Sequence, residues 1–334
     1  MMKILLVDAD SKDGFPNLAL MKISAYHKRK GDAIFIHKGI LPTSTNLFDF
    51  IYISTIFEEN REKIKALSDD LERARVPHII GGTGWDIDRK LILSIEHIMP
   101  DYSLYNTDYS MGFTSRGCLR KCPWCVVPDK EGKIHTHALM TEFHHPDHKK
   151  IILLDNNFLA SPKWKENFEY LIDNKLRVNF NSGFDIRLVN EENAQYIRET
   201  KIRDWRFKGT KYTFAFDQPS HKEQVKRGID LLRDAGINLH RDNCIFYVLV
   251  GYNTTPEQDL ERVHWLVNQG VGPFIMRYNK TVGPDRILLH MSRWVNRKYY
   301  QFVDFADYDY SDSQECYKAH FKGDCPQRVW SKGK

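Results

Sequence analysis

The sequence predicts an α/β chain: a small doubly wound parallel sheet, then a partial (β/α)6 barrel. Three observations carry this reading. Short apolar runs alternate with segments of helical period, the pattern of βαβ units. The alternation is interrupted by a less regular stretch and then restarts. The second series holds six strand-and-helix units in about 170 residues, where a full eight-unit barrel takes about 250. The expected division is a sheet domain at 1–108, a barrel at 109–280 and a carboxy-terminal extension at 281–334.

In the first series, 3–7 (KILLV) is an apolar run suited to a buried parallel strand. Residues 16–30 follow as a helix with Leu18, Met21, Ala25 and Tyr26 near helical spacing, stopped by Gly31-Asp32. Strands are expected at 33–37, 48–56 and 76–80, with a charged helix at 58–75 that carries Ile64, Leu67 and Leu71 on one face. Residues 86–108 read as a linker.

Strands of the second series are expected at 111–115, 151–155, 177–181, 213–217, 244–250 and 274–278. Ser161-Pro162 opens a helix with proline at its first position. Ser220 and Glu223 have capping-box spacing, and Gly236 closes that helix. Thr255-Pro256-Glu257-Gln258 opens another, closed by Gly270.

Composition narrows the class. Of 334 residues, 42% are hydrophobic and 28% charged, which excludes a disordered chain. No apolar run reaches the length of a membrane span, and the start, MMKILLVDAD, turns acidic too soon for a signal-peptide core. A cytoplasmic protein with no membrane partner is expected. The net charge of +5 is spread along the chain and permits an anionic partner without demanding one.

Three of the six cysteines, Cys118, Cys122 and Cys125, fall within eight residues as C-x3-C-x2-C, just after the first barrel strand. Three thiolates on a short loop can hold three irons of a cubane and leave the fourth open. Arg116, Arg120 and Lys121 favour thiolates and an anionic cluster, and Pro123 stiffens the loop. A structural zinc site wants four ligands, commonly two C-x2-C pairs, and only one such pair is present.

This motif, with Trp124 before the third cysteine, resembles that of the radical S-adenosylmethionine (radical SAM) superfamily over about residues 110–280. The resemblance implies a [4Fe–4S] cluster on Cys118, Cys122 and Cys125 whose open iron chelates S-adenosylmethionine (SAM). It implies reductive cleavage of SAM to a 5′-deoxyadenosyl radical that abstracts a substrate hydrogen. An external electron donor such as flavodoxin or ferredoxin is implied as well. By position at strand ends, Asp155, Asn156 and Asn157 correspond to the family's contact with the methionine amine. Asp185, Arg187 and Asp217 are candidates for SAM or substrate contacts, and Gly251 for the turn beside the adenine. The family's usual Gly-Gly-Glu is absent after the second strand.

The first sheet is similar to the cobalamin-binding domain that precedes many such barrels, and it looks shortened. Ser54-Thr55-Ile56 and Gly81-Gly82 resemble features facing the cofactor's nucleotide tail. The loop after the first strand, Asp8-Ala9-Asp10-Ser11-Lys12-Asp13-Gly14, holds no histidine to ligate cobalt.

Other features have two readings. His135, His137, His144, His145 and His148 are a solvated loop or a second metal site. Cys244, Cys316 and Cys325 are free thiols or an auxiliary cluster. The aromatic and basic residues at 293–308 dock a terminal helix or hold nucleic acid. Residues 129–133 read as a solvated turn, and Gly81 to Gly84 as a weak phosphate cradle. The expected function is modification of a small-molecule, peptide or nucleic-acid substrate, with methylation or a related C–H functionalisation first. The competing class is a non-catalytic iron–sulfur or zinc protein in electron transfer or nucleic-acid binding.

Overall fold

A computed structural model of the chain describes residues 1–11, 14–40, 47–278 and 286–308. Contacts divide it into two compact units. One comprises Met1–Lys121 and Val126–Asn181, the other Cys122–Cys125 and the chain from Ser182 onward. The fold is mixed α/β with parallel sheets, and every sheet of three or more strands within a unit is open.

The first unit begins with β1 (Lys3–Asp8), α1 (Leu18–Arg29), β2 (Ala33–Lys38), β3 (Phe50–Ser54), α2 (Arg61–Arg73) and β4 (His78–Gly81). The strands are parallel in the order β2-β1-β3-β4. Side chains alternate across the pleat, so each strand feeds two cores. Leu5, Val7, Ile51 and Ile53 pack with Ile64, Leu67 and Leu71 of α2. Ile4 and Leu6 pack with Leu20 and Ile23 of α1 on the other face. Helices on both faces make this the doubly wound sheet that the sequence predicts. β4 starts two residues late because Pro77 has no N–H to give the ladder; its carbonyl accepts from Ile51 N–H at 3.0 Å.

The expected linker is partly packed. It forms α3 (Leu93–Glu96), which buries Ile95 against α1, and a 3-10 turn at Tyr102–Leu104. The unit continues with β5 (Ser110–Gly112), β6 (Ser115–Arg116), α4 (Val127–Glu131), β7 (His135–Thr136), β8 (Lys150–Leu153), α5 (Trp164–Asp173) and β9 (Arg177–Phe180). β5, β8 and β9 are parallel neighbours in that order, and β6 and β7 form a small antiparallel pair. Helix α5 starts at Trp164, after Ser161 Oγ has accepted from Lys163 N–H at 3.3 Å, so Pro162 lies ahead of the helix.

The second unit holds α6 (Glu191–Glu199), β10 (Lys201–Ile202), β11 (Tyr212–Ala215), α7 (Lys222–Asp234), β12 (Cys244–Val250), α8 (Pro256–Asn268), β13 (Gly272–Arg277) and α9 (Arg286–Asn296). β11, β12 and β13 are parallel and consecutive. Helix α8 opens at Thr255 as expected, and a capping box forms there: Thr255 N–H donates to Gln258 Oε1 at 3.0 Å, and Gln258 N–H to Thr255 Oγ1 at 3.4 Å. The one expected at Ser220 does not form. Pro219 starts a 3-10 turn at Pro219–His221, which makes His221 the N-cap residue, and no side chain caps α7. The aromatic 293–308 segment docks. Trp294 is buried and its Nε1 donates to Val303 O at 2.8 Å, while Asn296 pairs with both backbone groups of Ile275.

The glycines between Gly81 and Gly84 have a packing reason. A Cβ on Gly82, at φ +102°, would lie 2.0 Å from Thr55 O, and one on Gly84 2.6 Å from Phe57 O. The glycines let the chain after β4 pass against the chain after β3. Gly82→Ala should destabilise the protein by on the order of 2–4 kcal/mol in urea unfolding. Gly31→Ala, at φ +80° with open space around it, should cost only about 1 kcal/mol.

Candidate functional site

In the first unit the site is built from the ends of β5 and β8. After β5 the chain passes through Thr114 and Ser115 into β6. The Asp155 carboxylate, buried just beyond β8, accepts from Thr114 N–H at 3.2 Å, Thr114 Oγ1 at 2.7 Å, and Ser115 N–H and Oγ at 2.6 Å each. Burial pushes this carboxyl up, against the four donors. Asp155 thus fixes the backbone that leads to the cysteine loop.

Gly117 opens that loop at φ +77°, where a Cβ would meet Lys133 O at 2.3 Å. Cys118 N–H donates to Gly132 O at 3.2 Å. The expected solvated turn at 129–133 is helical up to Glu131. It starts with Pro128 in its first turn and is closed by Gly132 at φ +71°. Glu131 accepts from Gly117 N–H at 2.9 Å, Arg116 Nη1 at 2.9 Å and Asn156 Nδ2 at 2.6 Å.

A second carboxylate, Glu96 of α3, gathers Lys22 Nζ at 2.9 Å, His137 Nε2 at 3.0 Å and Arg116 Nη2 at 3.7 Å. Arg116 therefore joins Glu96 to Glu131, with its guanidinium 3.4 Å from the Phe113 ring centroid. Burial pushes Glu96 up, but the His137 hydrogen bond and the Lys22 charge hold it down to about 2.

The Cys118 sulfur receives Arg120 N–H at 3.4 Å and Asn157 Nδ2 at 3.6 Å. Asn157 is 4% exposed, and its Oδ1 has no partner among the described residues.

In the second unit, Cys125 N–H donates to Cys122 O at 3.0 Å, a tight turn around Pro123-Trp124. The Trp124 ring meets Tyr252 edge-on at 4.8 Å, and Tyr252 meets Tyr278 at 4.8 Å. Gly251, at φ +76°, ends β12; a Cβ there would lie 2.6 Å from Leu288 Cδ1. Arg187 grips Asp185 through Nε at 2.6 Å and Nη2 at 3.0 Å, and its Nη1 lies 3.3 Å from the His221 ring. Cys122 and Asp217 both act electrostatically on Arg187. Burial raises the Asp217 carboxyl against the nearby Arg262 and Arg187. Arg262 is itself buried: it donates to Phe216 O and Leu249 O at 2.7 Å each, and pairs with Asp259, which accepts from Gly251 N–H at 3.0 Å.

The structure therefore associates Cys118 with Asn157, Asn156 with Glu131, and Cys122 with Arg187, Asp185 and Asp217. Glu96, Glu131, Arg262 and Tyr252 were not anticipated. Only Pro128 and Gly132, bracketing a short helix, signalled Glu131.

Cys118, Cys122, Cys125 and Cys244 form no disulfide. Among the described residues no three His, Cys, Asp or Glu side chains are grouped so as to hold a metal ion. The donor set nonetheless suits an iron–sulfur cluster in its chemistry: three thiols in the chain segment, one already carrying two N–H donors on sulfur. The histidines of 135–148 are engaged one by one. His144 bridges Tyr170 Oη and His148 O, His148 faces Ser110 Oγ, and His137 faces Glu96. Cys244 is fully buried and its thiol is pushed up by that burial, so it is a core residue. Cys316 and Cys325 lie outside the described residues.

Among the described residues the cobalamin reading finds no fitting residues. The crevice at the switch between β1 and β3, where such folds bind ligands, is filled from within. Asp10 takes Ile56 N–H, Asn60 Nδ2 at 2.6 Å and Thr55 Oγ1 at 3.4 Å, Ser54 Oγ receives Asn17 Nδ2 at 2.8 Å, and Tyr105 Oη donates to Asp8 at 2.7 Å. Among the described residues no helix is long and apolar enough to cross a membrane.

No family model and no curated protein matches the chain. Among solved structures, SuiB of Streptococcus suis bound to S-adenosylmethionine is similar at 11% identity and a TM-score of 0.36. The match covers 78% of this chain and 66% of that one. A likeness of that strength fixes neither a family nor a chemistry.

Because the folded Glu96 sits at about 2 instead of 4.5, its contribution is complete above about pH 4.5 and lost as pH falls toward 2. Between about pH 7 and pH 3, Glu96→Gln should remove on the order of 2–3 kcal/mol of the wild-type pH dependence measured by urea unfolding.

Proposed function

We propose that this chain is a radical SAM enzyme, with Cys118, Cys122 and Cys125 holding a [4Fe–4S] cluster. The observation that carries the reading is the cysteine motif a few residues beyond the parallel strand β5, directly after β6, with a buried asparagine, Asn157, on the first sulfur. In this reading β5, β8, β9, β11, β12 and β13 correspond to the family's partial barrel. When bound, the cluster and SAM supply one-electron cleavage of SAM to methionine and a 5′-deoxyadenosyl radical.

The chain's own residues then bind, orient and shield. Asn157 Nδ2 donates to the Cys118 sulfur, which stabilises a thiolate, and its buried, unpartnered Oδ1 is the acceptor for the methionine ammonium group. Arg187, already oriented by Asp185, offers Nη1 to a carboxylate or ribose hydroxyl. Trp124 and Tyr252 present ring edges that exclude water from the loop. Glu131 and Asp155 are positioning residues for the loop. The proposed reaction is methylation or a related functionalisation of a substrate C–H bond, with an external one-electron donor.

The test is anaerobic reconstitution with iron and sulfide, reduction by dithionite with SAM, and measurement of iron and 5′-deoxyadenosine. About four irons per chain and 5′-deoxyadenosine that disappears in Cys122→Ala are expected. Asn157→Ala should keep its iron and bind SAM about tenfold more weakly. Zinc in place of iron after anaerobic work would reject the reading in favour of a binding protein.

A further inference from the structure

The second unit carries a polar cavity at the end of its sheet opposite the strand ends described above. The cavity has a volume of about 550 Å³ and is lined by Arg198, Thr210, Tyr212, Gly236, Ile237, Asn238, His240, Asp242 and Asn243. Tyr212 is the first residue of β11, and Asn243 directly precedes β12. Since β12 rises about 3.3 Å per residue, this mouth is on the order of 20 Å from Gly251. The amino-terminal face of a parallel sheet normally serves stability, so a polar cavity there asks for a ligand.

Its donors are unengaged. Arg198 has no hydrogen bond or ion pair among the described residues, and its Nε lies 3.5 Å from where a Gly236 Cβ would sit. Gly236 is at φ +86°, which disfavours a side chain there, and a Cβ would be in ordinary contact with that guanidinium. Tyr212 is 8% exposed, and its hydroxyl has no hydrogen-bond partner among the described residues. The loop from Gly236 to Asn243 is braced from within. Asn243 Nδ2 donates to Asn238 O at 2.8 Å, and His240 N–H donates to Asn243 Oδ1 at 2.8 Å. Asp242 N–H donates to His240 Nδ1 at 3.3 Å, which leaves Nε2 as the ring's donor.

The charge around the cavity is positive. Asp242, the one acid in the lining, is paired with Lys298 Nζ at 2.7 Å. Residues 201–211, which lead into β11, hold five basic residues and one acid, Asp204. That acid is occupied by its own loop, accepting from Lys208 N–H at 2.9 Å and Gly209 N–H at 3.2 Å.

We propose that this cavity binds a small organic oxyanion, a phosphate or carboxylate ester-sized metabolite. Arg198 is its ion partner, and the Tyr212 hydroxyl, His240 Nε2 and the Asn238 amide are its hydrogen-bond donors. A volume of this size suits one small molecule, and unpaired cationic and hydroxyl donors facing one space recognise oxygen-rich anions.

The test is calorimetric titration of the full chain with ribose 5-phosphate and, separately, succinate, at constant ionic strength set by chloride. Saturable one-to-one binding of at least one anion is expected. Arg198→Gln should weaken it at least about tenfold, and Tyr212→Phe severalfold. Asn238→Asp, which adds a negative charge to a surface loop, should abolish it even if the Arg198 variant folds poorly. The preferred anion identifies the source as phosphate or carboxylate. Absence of saturable heat with both anions overturns the proposal. Binding unchanged in Arg198→Gln and Asn238→Asp, or weakened equally by the control Lys63→Gln in α2 of the first unit, overturns it as well.

Discussion

The buried Asp155 carboxylate is the interaction on which the cysteine loop depends. Where a parallel strand ends, the backbone leaves its ladder and its polar groups need new partners. Burying a charge to supply them is costly unless every lone pair is used. Asp155 meets that condition with four donors from two adjacent residues. Arg262 solves the same problem in the second unit with the opposite sign, by taking carbonyls at the ends of β11 and β12. Asp10 does so at the end of β1, by taking donors that follow β3. Each of these three strand ends is thus tied down by the chain's own side chains.

The N-terminal sheet is tied to this frame by charge as well as by apolar packing. Lys22 of α1 reaches Glu96, Glu96 reaches Arg116, and Arg116 reaches Glu131 and the base of the cysteine loop. Among the described residues, Asp10 and Tyr105 occupy the switch-point crevice of the sheet with contacts from within the unit.

Much of this was legible in the sequence, and the illegible part has a common cause. Strands announce themselves through apolar runs, and α8 through the Thr255–Gln258 box, because both signals are local. Ser220 and Glu223 had the spacing of a box, but Pro219 drew Ser220 into a preceding turn. Asp155 and Asp185 look alike in sequence, as acids at strand ends. Only the three-dimensional count of donors separates a carboxylate saturated by its own backbone from one that orients an arginine. Lys22 and Glu96 are 74 positions apart, and no periodicity relates them. The histidines of 135–148 looked like a polar run, yet His144 is buried and bonded on both nitrogens, which composition alone does not reveal.

Cys244 sits at 0% exposure between neighbouring strands, with its proton held firmly by burial. The loop cysteines Cys118, Cys122 and Cys125 are each partly open to solvent. Oxidation needs access to sulfur, so the fold shelters its core cysteine from oxidants that can reach the loop.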